Sequence, residues 1–446
     1  MATSGPLPTF ANSSTEVTAE DWASEDLPSK RWTSFDGWDY NGMKERLQTA
    51  LEGINRQFLI RHASAVILFD EKFTMSEPFS AGQYWICFEM VAEYGQLVIA
   101  RVRLPRHPDT PATVTEEDEA YSIDCEVRTM RYLETKFSAV PTPSVFAYGG
   151  PGSEDALWAG APYMLMNEYY GNTLQDIEPD MCNLPVSIQK HIIAQWTRVQ
   201  AELATIVFPQ IGSFSSFSKS GEPIIGKLAS ASTGELEDAG PFSRSVDYFT
   251  SLANAATKKT AIRLGAFVFF DIVTSTDLFG GAEPDGPFPL NHMDLGTQNI
   301  LVDNDFNFIA IIDWEFAQSA PWQVNHYPMP FSLLRDVEGI LGDPNHLAYK
   351  NVCRQDAARR MYRESFRDAE RELEADNRPL SGSFATTLES PASRIYACFT
   401  HLGRLPEVDN DLTNEMVRLA FGFNPQEVEE YVREIKQKYR LEGYPE

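Results

Sequence analysis

Cysteine is scarce, with five in 446 residues: Cys87, Cys125, Cys182, Cys353 and Cys398. They are scattered, odd in number and never spaced Cys-x-x-Cys, which argues against a disulfide framework and against a zinc site. Positive charge is also short. Lys and Arg total 37 against 64 Asp and Glu, a net charge of −27. So acidic a surface repels phosphate backbones and anionic lipid, so neither nucleic acid nor membrane is an expected partner. No apolar run is long enough to span a bilayer. The opening MATSGPLPTFANSSTEVTAEDW has no basic region followed by an apolar one, and it is acidic where a transit peptide would be Arg-rich. A reducing, cytoplasmic setting is the expectation.

What is present suits a large globular chain. Hydrophobic residues make up 43% and aromatics 12%, and the length suggests two lobes rather than one core. Residues 1 to about 35, rich in Ser, Thr, Pro and acid, read as a flexible tail. WDYNGMKERLQTALEGINRQFLIRH spaces Leu47, Leu51, Ile54 and Phe58 as one helix. SAVILFDEKF, QYWICFEMVAEYG and GQLVIARVRLP then read as strands, and RHPDTPATVTEEDEAYS as a polar connection. A helix is expected in DCEVRTMRYLETKF and two more strands in VPTPSVFAYG and APYMLMNEYYG. From about residue 185 the periodicity is helical, interrupted by a loop-rich insertion, GSFSSFSKSGEPIIGKLASASTGELEDAGPF.

The chemistry is concentrated in LNHMDLGTQNILVDNDFNFIAIIDWE, residues 290–315. NILVD and FIAIID, separated by NDFN, read as a small hairpin. That hairpin would gather Asp294, Asn299 and Asp313 at one end. Phosphoryl transfer needs such a set. One carboxylate orients the acceptor hydroxyl and takes its proton, while a second carboxylate and an amide oxygen hold Mg²⁺. His292, Asp294 and Asn299 also match the spacing of a kinase catalytic loop, and Asp313 then stands where the metal-binding aspartate follows it.

HMDLGTQNILVD followed by IIDWE resembles the aminoglycoside phosphotransferase and choline kinase branch of the protein-kinase-like fold, in particular the fungal phosphotransferase enzyme family. The resemblance covers roughly residues 60 to 345. It implies an α+β, two-lobed protein-kinase-like fold, with a small β-rich lobe carrying one helix and a larger, mostly helical lobe. It also implies transfer of a phosphoryl group from ATP, with Mg, to a hydroxyl of a small-molecule alcohol. Its boundaries would be a tail at 1–35, a helical extension at 36–62, a small lobe at 63–168 and a large lobe at 169–446. Trp314 and Glu315 replace the Phe and Gly that usually follow the metal-binding aspartate. The sequence does not identify the acceptor, and a silent kinase-like binding module is the alternative function.

Within that resemblance Asp294 is the catalytic base, Asn299 and Asp313 are the metal ligands, and His292 is a scaffold for the loop. Arg101 stands in place of the phosphate-binding lysine, with Arg103 as fallback, since residues two apart share a strand face. Glu126 is its expected partner on the next helix, with Glu134 as the alternative. Ser80 and Gly82 are candidates for a loop over the phosphates. The backbone at Asn167 and Tyr169 would meet adenine, and Trp322, His326 and Tyr327 would line an acceptor pocket.

Overall fold

The computed structural model describes residues 27–30, 43–67, 72–108, 110–229, 236–281, 283, 285–334 and 337–441. Two helices come first, α1 (Met43–Gly53) and α2 (Arg56–Val66). The sequence pattern suggested one continuous helix here. Asn55 divides it, its side chain accepting the Phe58 N–H at 3.1 Å as an N-cap. The boundary expected at 62/63 falls inside α2. Ser64–Val66, expected to open a strand, closes that helix instead.

A five-stranded antiparallel sheet follows, in the order β1-β2-β3-β5-β4. Its strands are β1 (Phe73–Ala81), β2 (Trp85–Ala92), β3 (Leu97–Arg103), β4 (Val145–Gly149) and β5 (Tyr163–Asn167). Period-two alternation gives the sheet two different faces. Ile86, Phe88, Met90, Val98, Ala100 and Leu165 are buried in one cluster with Leu47, Leu59 and Ala63 of the two helices. On the other face Cys87 pairs with Arg101, Glu89 with Ile99, and Ile99 with Met166. That second face looks onto the interlobe cleft.

Helix α3 (Glu116–Lys136) runs beneath the sheet. It starts two turns earlier than the apolar spacing suggests. Thr115 and Asp118 form a capping box, so the acidic stretch expected to be a connection is the helix's first turns. A short helix, α4 (Glu154–Ala159), joins β4 to β5.

The large lobe begins at β6 (Asn172–Thr173), α5 (Leu174–Ile177) and the long α6 (Val186–Ala204). Ile192, Trp196 and Val199 of α6 pack in one core with Phe331, Tyr362 and Phe366. After β7 (Val207–Phe208), the segment expected to be loop contains a hairpin, β8 (Ser213–Phe217) and β9 (Pro223–Gly226). The hairpin ties α3 to the large lobe. Lys227 is ion-paired with Asp118, the Tyr121 hydroxyl donates to the Lys227 carbonyl at 2.9 Å, and Ser122 donates to the Ala229 carbonyl. Tyr132 packs edge-on to Phe214, ring centres 5.4 Å apart.

Helices α7 (Ser245–Thr257) and α8 (Arg263–Ser275) lead to β10 (Phe288–Asn291). The expected hairpin is present as β11 (Ile300–Val302) and β12 (Phe308–Ile311), with Ile300 opposite Ile311. The short β13 (Gln318–Ser319) pairs with β10. Helices α9 (Glu338–Leu341), α10 (Tyr349–Ala375), α11 (Phe384–Thr387), α12 (Pro391–His401), α13 (Asp409–Phe421) and α14 (Pro425–Lys438) complete the lobe. Among the described residues no helix is long and apolar enough to cross a membrane, and all five cysteines are free.

Candidate active site

The loop between β10 and β11 is fixed from within. His292 is buried, and its Nε2–H donates to the Ile312 carbonyl at 3.0 Å. Its Nδ1 therefore accepts the Asp294 N–H at 3.3 Å. Burial pulls this imidazole down to about 4, so it stays neutral in that one tautomer. Trp314 covers it, ring centres 4.5 Å apart, and donates Nε1–H to the Ile311 carbonyl at 2.9 Å. Two non-glycine residues here hold left-handed backbone, Met293 (φ 67) and Asp313 (φ 65). Conformations of that kind cost energy and persist where the surroundings impose them.

Asp294 and Asn299 are joined directly. The Asn299 Nδ2 donates to the Asp294 carbonyl at 2.8 Å and to its Oδ2 at 3.0 Å. This commits the amide nitrogen and leaves Oδ1, an oxygen ligand of the type Mg²⁺ prefers, without a partner among the described residues. Gln298 donates to Asp294 Oδ1 at 3.4 Å. Burial, and then the charge of Asp313, push the Asp294 carboxyl above the ordinary aspartate range.

Arg101 enters from the small lobe. Its Nη1 lies 2.8 Å from Glu126 Oε1, and its Nη2 lies 3.5 Å from Asp313 Oδ1. The guanidinium also sits over the Trp85 ring, 4.8 Å from its centre. Burial alone would pull this group down, but Glu126 and then Asp313 more than offset it and push it up. Arg103 lies over Tyr84, 4.6 Å from the ring centre, and over Trp85 at 5.3 Å, and is not on the wall of the cavity that Arg101 lines. Glu134 is exposed on α3.

A cavity of about 690 Å³ joins these groups under the sheet. Ser80, Gly82, Arg101, Asn167, Tyr169, Asp294, Asn299 and Asp313 all line it, whereas Glu126 is behind Arg101. Gly82 closes a tight turn, its N–H donating to the Trp85 carbonyl at 2.8 Å. A Cβ there would meet open space, so the turn itself does not require glycine.

Sequence reading missed several residues on this wall. Pro28, from the segment expected to be tail, is buried and lines the cavity. Beside it Ser29 donates its N–H to Glu89 Oε2 (3.1 Å) and its hydroxyl to Glu89 Oε1 (2.6 Å). The remainder of 1–35 lies outside the described residues. Glu168 also lines the cavity, with Oε2 buried and unpartnered. Burial, then Glu89, raise its carboxyl to about 9. Glu315 is raised to about 8, chiefly by burial and then by Asp313. The alternation of β2 would have put Glu89 on the cleft face, but nothing in the sequence pointed to Pro28.

A second cavity, of about 750 Å³, opens on the far side of the β10–β11 loop. Asp294 and Gln298 line both cavities. Of the three residues expected to line an acceptor pocket, His326 is on the wall of this cavity. Trp322 instead packs edge-on to Phe384 of α11, and the Tyr327 hydroxyl donates to Glu389.

The family model described as "Phosphotransferase enzyme family" matches residues 100–324. The chain belongs to the phosphotransferase enzyme family. The matched span holds Arg101, Glu126, Asn167, Tyr169, Asp294, Asn299 and Asp313, while Ser80 and Gly82 precede it. A thermostable mutant of aminoglycoside phosphotransferase APH(4)-Ia is 16% identical, with 85% of this chain and 99% of that one covered at a TM-score of 0.41. A Thermobifida fusca protein described as "putative fructosamine-3-kinase" is 14% identical, covering 82% and 99% at 0.41. Macrolide 2'-phosphotransferase type I is 13% identical, covering 86% and 95% at 0.40. No curated protein matches the chain significantly. As a member of this family the chain has the expected class of fold, α+β in two lobes of protein-kinase-like type.

Proposed function

We propose that the protein transfers a phosphoryl group from ATP to a hydroxyl of a small-molecule alcohol, with Mg²⁺ as the cation. The observation that carries this reading is the position of Asp294 on the wall shared by two cavities. One cavity carries a cation and oxygen ligands, as a nucleoside triphosphate needs, and the other has room for an acceptor. Asp294 would orient the acceptor hydroxyl and take its proton as the oxygen bonds to the γ-phosphorus and the leaving nucleotide keeps the bond's electron pair.

The residues present fit a magnesium ion. Asp313 offers a carboxylate that is 35% exposed, and Asn299 offers its unpartnered Oδ1. One carboxylate and one neutral oxygen, completed by phosphate and water, is a common protein share for Mg²⁺. When bound, the ion would neutralise phosphate charge. Arg101, held by Glu126, would meet phosphate oxygens as a planar fork that cannot lose its proton. Ser80 and Gly82 would cover the phosphates, and the backbone of Asn167 and Tyr169 would meet the base. In this reading the small lobe runs from the end of α2 to residue 168 and the large lobe from 169 onward.

The test is Mg-dependent ATP titration beside ADP release, with and without candidate alcohols. Metal-dependent binding together with release that alcohols stimulate supports transfer. Binding without any release, in wild type and Asp294→Ala alike, would favour a silent nucleotide-binding module.

A further inference from the structure

The second cavity is sparingly charged. Its wall holds two carboxylates, Asp180 and Asp294, and one cation, Arg404. Each carboxylate has partners of its own within the protein. Asp180 accepts the Cys182 N–H at 3.0 Å and lies 3.9 Å from Arg354. Asp294 accepts from Asn299 and Gln298. The two histidines there, His326 and His401, are both pulled down, mainly by burial, and are neutral near pH 7.

Arg404 differs from these groups. Its guanidinium has no ion pair or hydrogen bond among the described residues, although 64 acidic side chains are present in the chain. The turn that presents it is well fixed. Arg404 N–H donates to the His401 carbonyl at 3.2 Å, and Gly403 N–H donates to Asp409 Oδ1 at 2.9 Å. Gly403 itself has φ +80, a conformation that favours glycine. Arg404 is itself an exposed residue, and it stands on the cavity wall together with His326 and His401.

We propose that the acceptor bound in this cavity carries a carboxylate, which Arg404 takes up while a hydroxyl of the same molecule lies at Asp294. The inference rests on the transfer reading above and adds the substrate's charge. An amine-rich acceptor would meet an uncompensated arginine on this wall. A carboxylate would pair with that arginine through two parallel N–H donors. Met293 and the 60% exposed Met329 supply apolar wall, so the acceptor has an apolar part as well.

Three probes of one shape and different charge test this: phenyl β-D-glucuronide, phenyl β-D-glucoside and phenyl β-D-glucosaminide. Each is titrated calorimetrically into the full chain at saturating Mg·ADP, using wild type, Arg404→Ala and Arg404→Glu. Wild type should bind the glucuronide about three- to tenfold more tightly than the glucoside, as for a partly screened ion pair. The glucosaminide should be weakest. Arg404→Ala should level the series and Arg404→Glu should reverse it, with both variants melting near the wild-type temperature. The inference is overturned if the glucosaminide binds best to wild type, if none of the probes binds, or if Arg404→Ala keeps the wild-type order. ATP hydrolysis measured on the same wild-type protein reports the transfer reading separately. Its loss alongside charge-ordered probe binding would reject transfer and leave the anion-binding role of Arg404 in place.

Discussion

Arg101 of the small lobe reaches Asp313 of the large lobe, Nη2 to Oδ1 at 3.5 Å. The same guanidinium is anchored by Glu126 at 2.8 Å. The position proposed for phosphate and the position proposed for its cation are therefore set relative to each other by one side chain. The lobes are registered at that point, and the stability of the Arg101–Glu126 pair becomes a property of the site.

Glu126→Ala should accordingly destabilise the fold. Glu126 is 1% exposed and Arg101 12%. Removing the acid leaves a buried guanidinium with only the longer Asp313 contact, a loss of about 3 kcal/mol. Urea unfolding measures it. Glu134→Ala, on the exposed face of the same helix, should stay within about 0.5 kcal/mol of wild type. Equal losses for the two would show that the buried pair is not a stabilising unit.

The roles proposed for the catalytic loop make separable demands. Asp294→Ala should leave Mg·ATP affinity near wild type while turnover falls at least about 10²–10⁴-fold. Asp313→Ala should weaken Mg-dependent nucleotide binding itself, because a charged ligand is lost. Asn299→Ala should fall between them. Nucleotide titration with and without Mg²⁺, beside turnover, separates the three. Unchanged affinity in Asp313→Ala would remove it as the metal ligand.

Stability should fall with rising pH through Glu168. Its carboxyl, ordinarily near 4.5, is raised to about 9 by burial and then by Glu89. Between those values the folded state binds the proton that the unfolded chain has lost, so stability is greatest below about pH 4.5 and declines toward pH 9. Glu168→Gln has no proton to lose. Its gain over wild type should be near zero at pH 4 and reach at least about 1 kcal/mol at pH 8. Thermal melts at the two values decide it, and a gain that does not change with pH would assign the effect to packing.

The N-terminal segment offers a paired test. Deleting residues 1–26 should leave nucleotide affinity within about twofold, since composition gives them little apolar surface to bury. Deleting 1–30 removes Pro28 from the cavity wall and both donors from the buried Glu89. That deletion should weaken Mg·ATP binding about three- to tenfold, as expected when a buried carboxylate loses its partners. Equal affinity for both truncations would show that the segment only packs on the sheet.

Much of the site could be read from residues 290–315 because its geometry is local. The hairpin β11–β12 is announced by two short apolar runs around NDFN, and it alone brings Asn299 toward Asp313. Arg101 and Glu126 are farther apart in sequence; strand alternation puts Arg101 and Arg103 on one face, and it is the family resemblance that singles out Arg101 and Glu126. What escaped depended on distant packing or on side-chain hydrogen bonds. The capping box at Thr115 lengthened α3 beyond its apolar stripe. Asn55 split what looked like one helix. Arg404 and Pro28 reach their cavities through tertiary contacts that no periodicity encodes, and α12 and α13, which present Arg404, were not singled out at all.

The hairpin β8–β9 has one further consequence. It fastens the N-terminal half of α3 through Lys227 and the carbonyls of Lys227 and Ala229, while Phe214 grips Tyr132 lower down. A helix swing that carried Glu126 off Arg101 would have to break all of these together. Switching this protein off by tilting that helix is therefore a costly route.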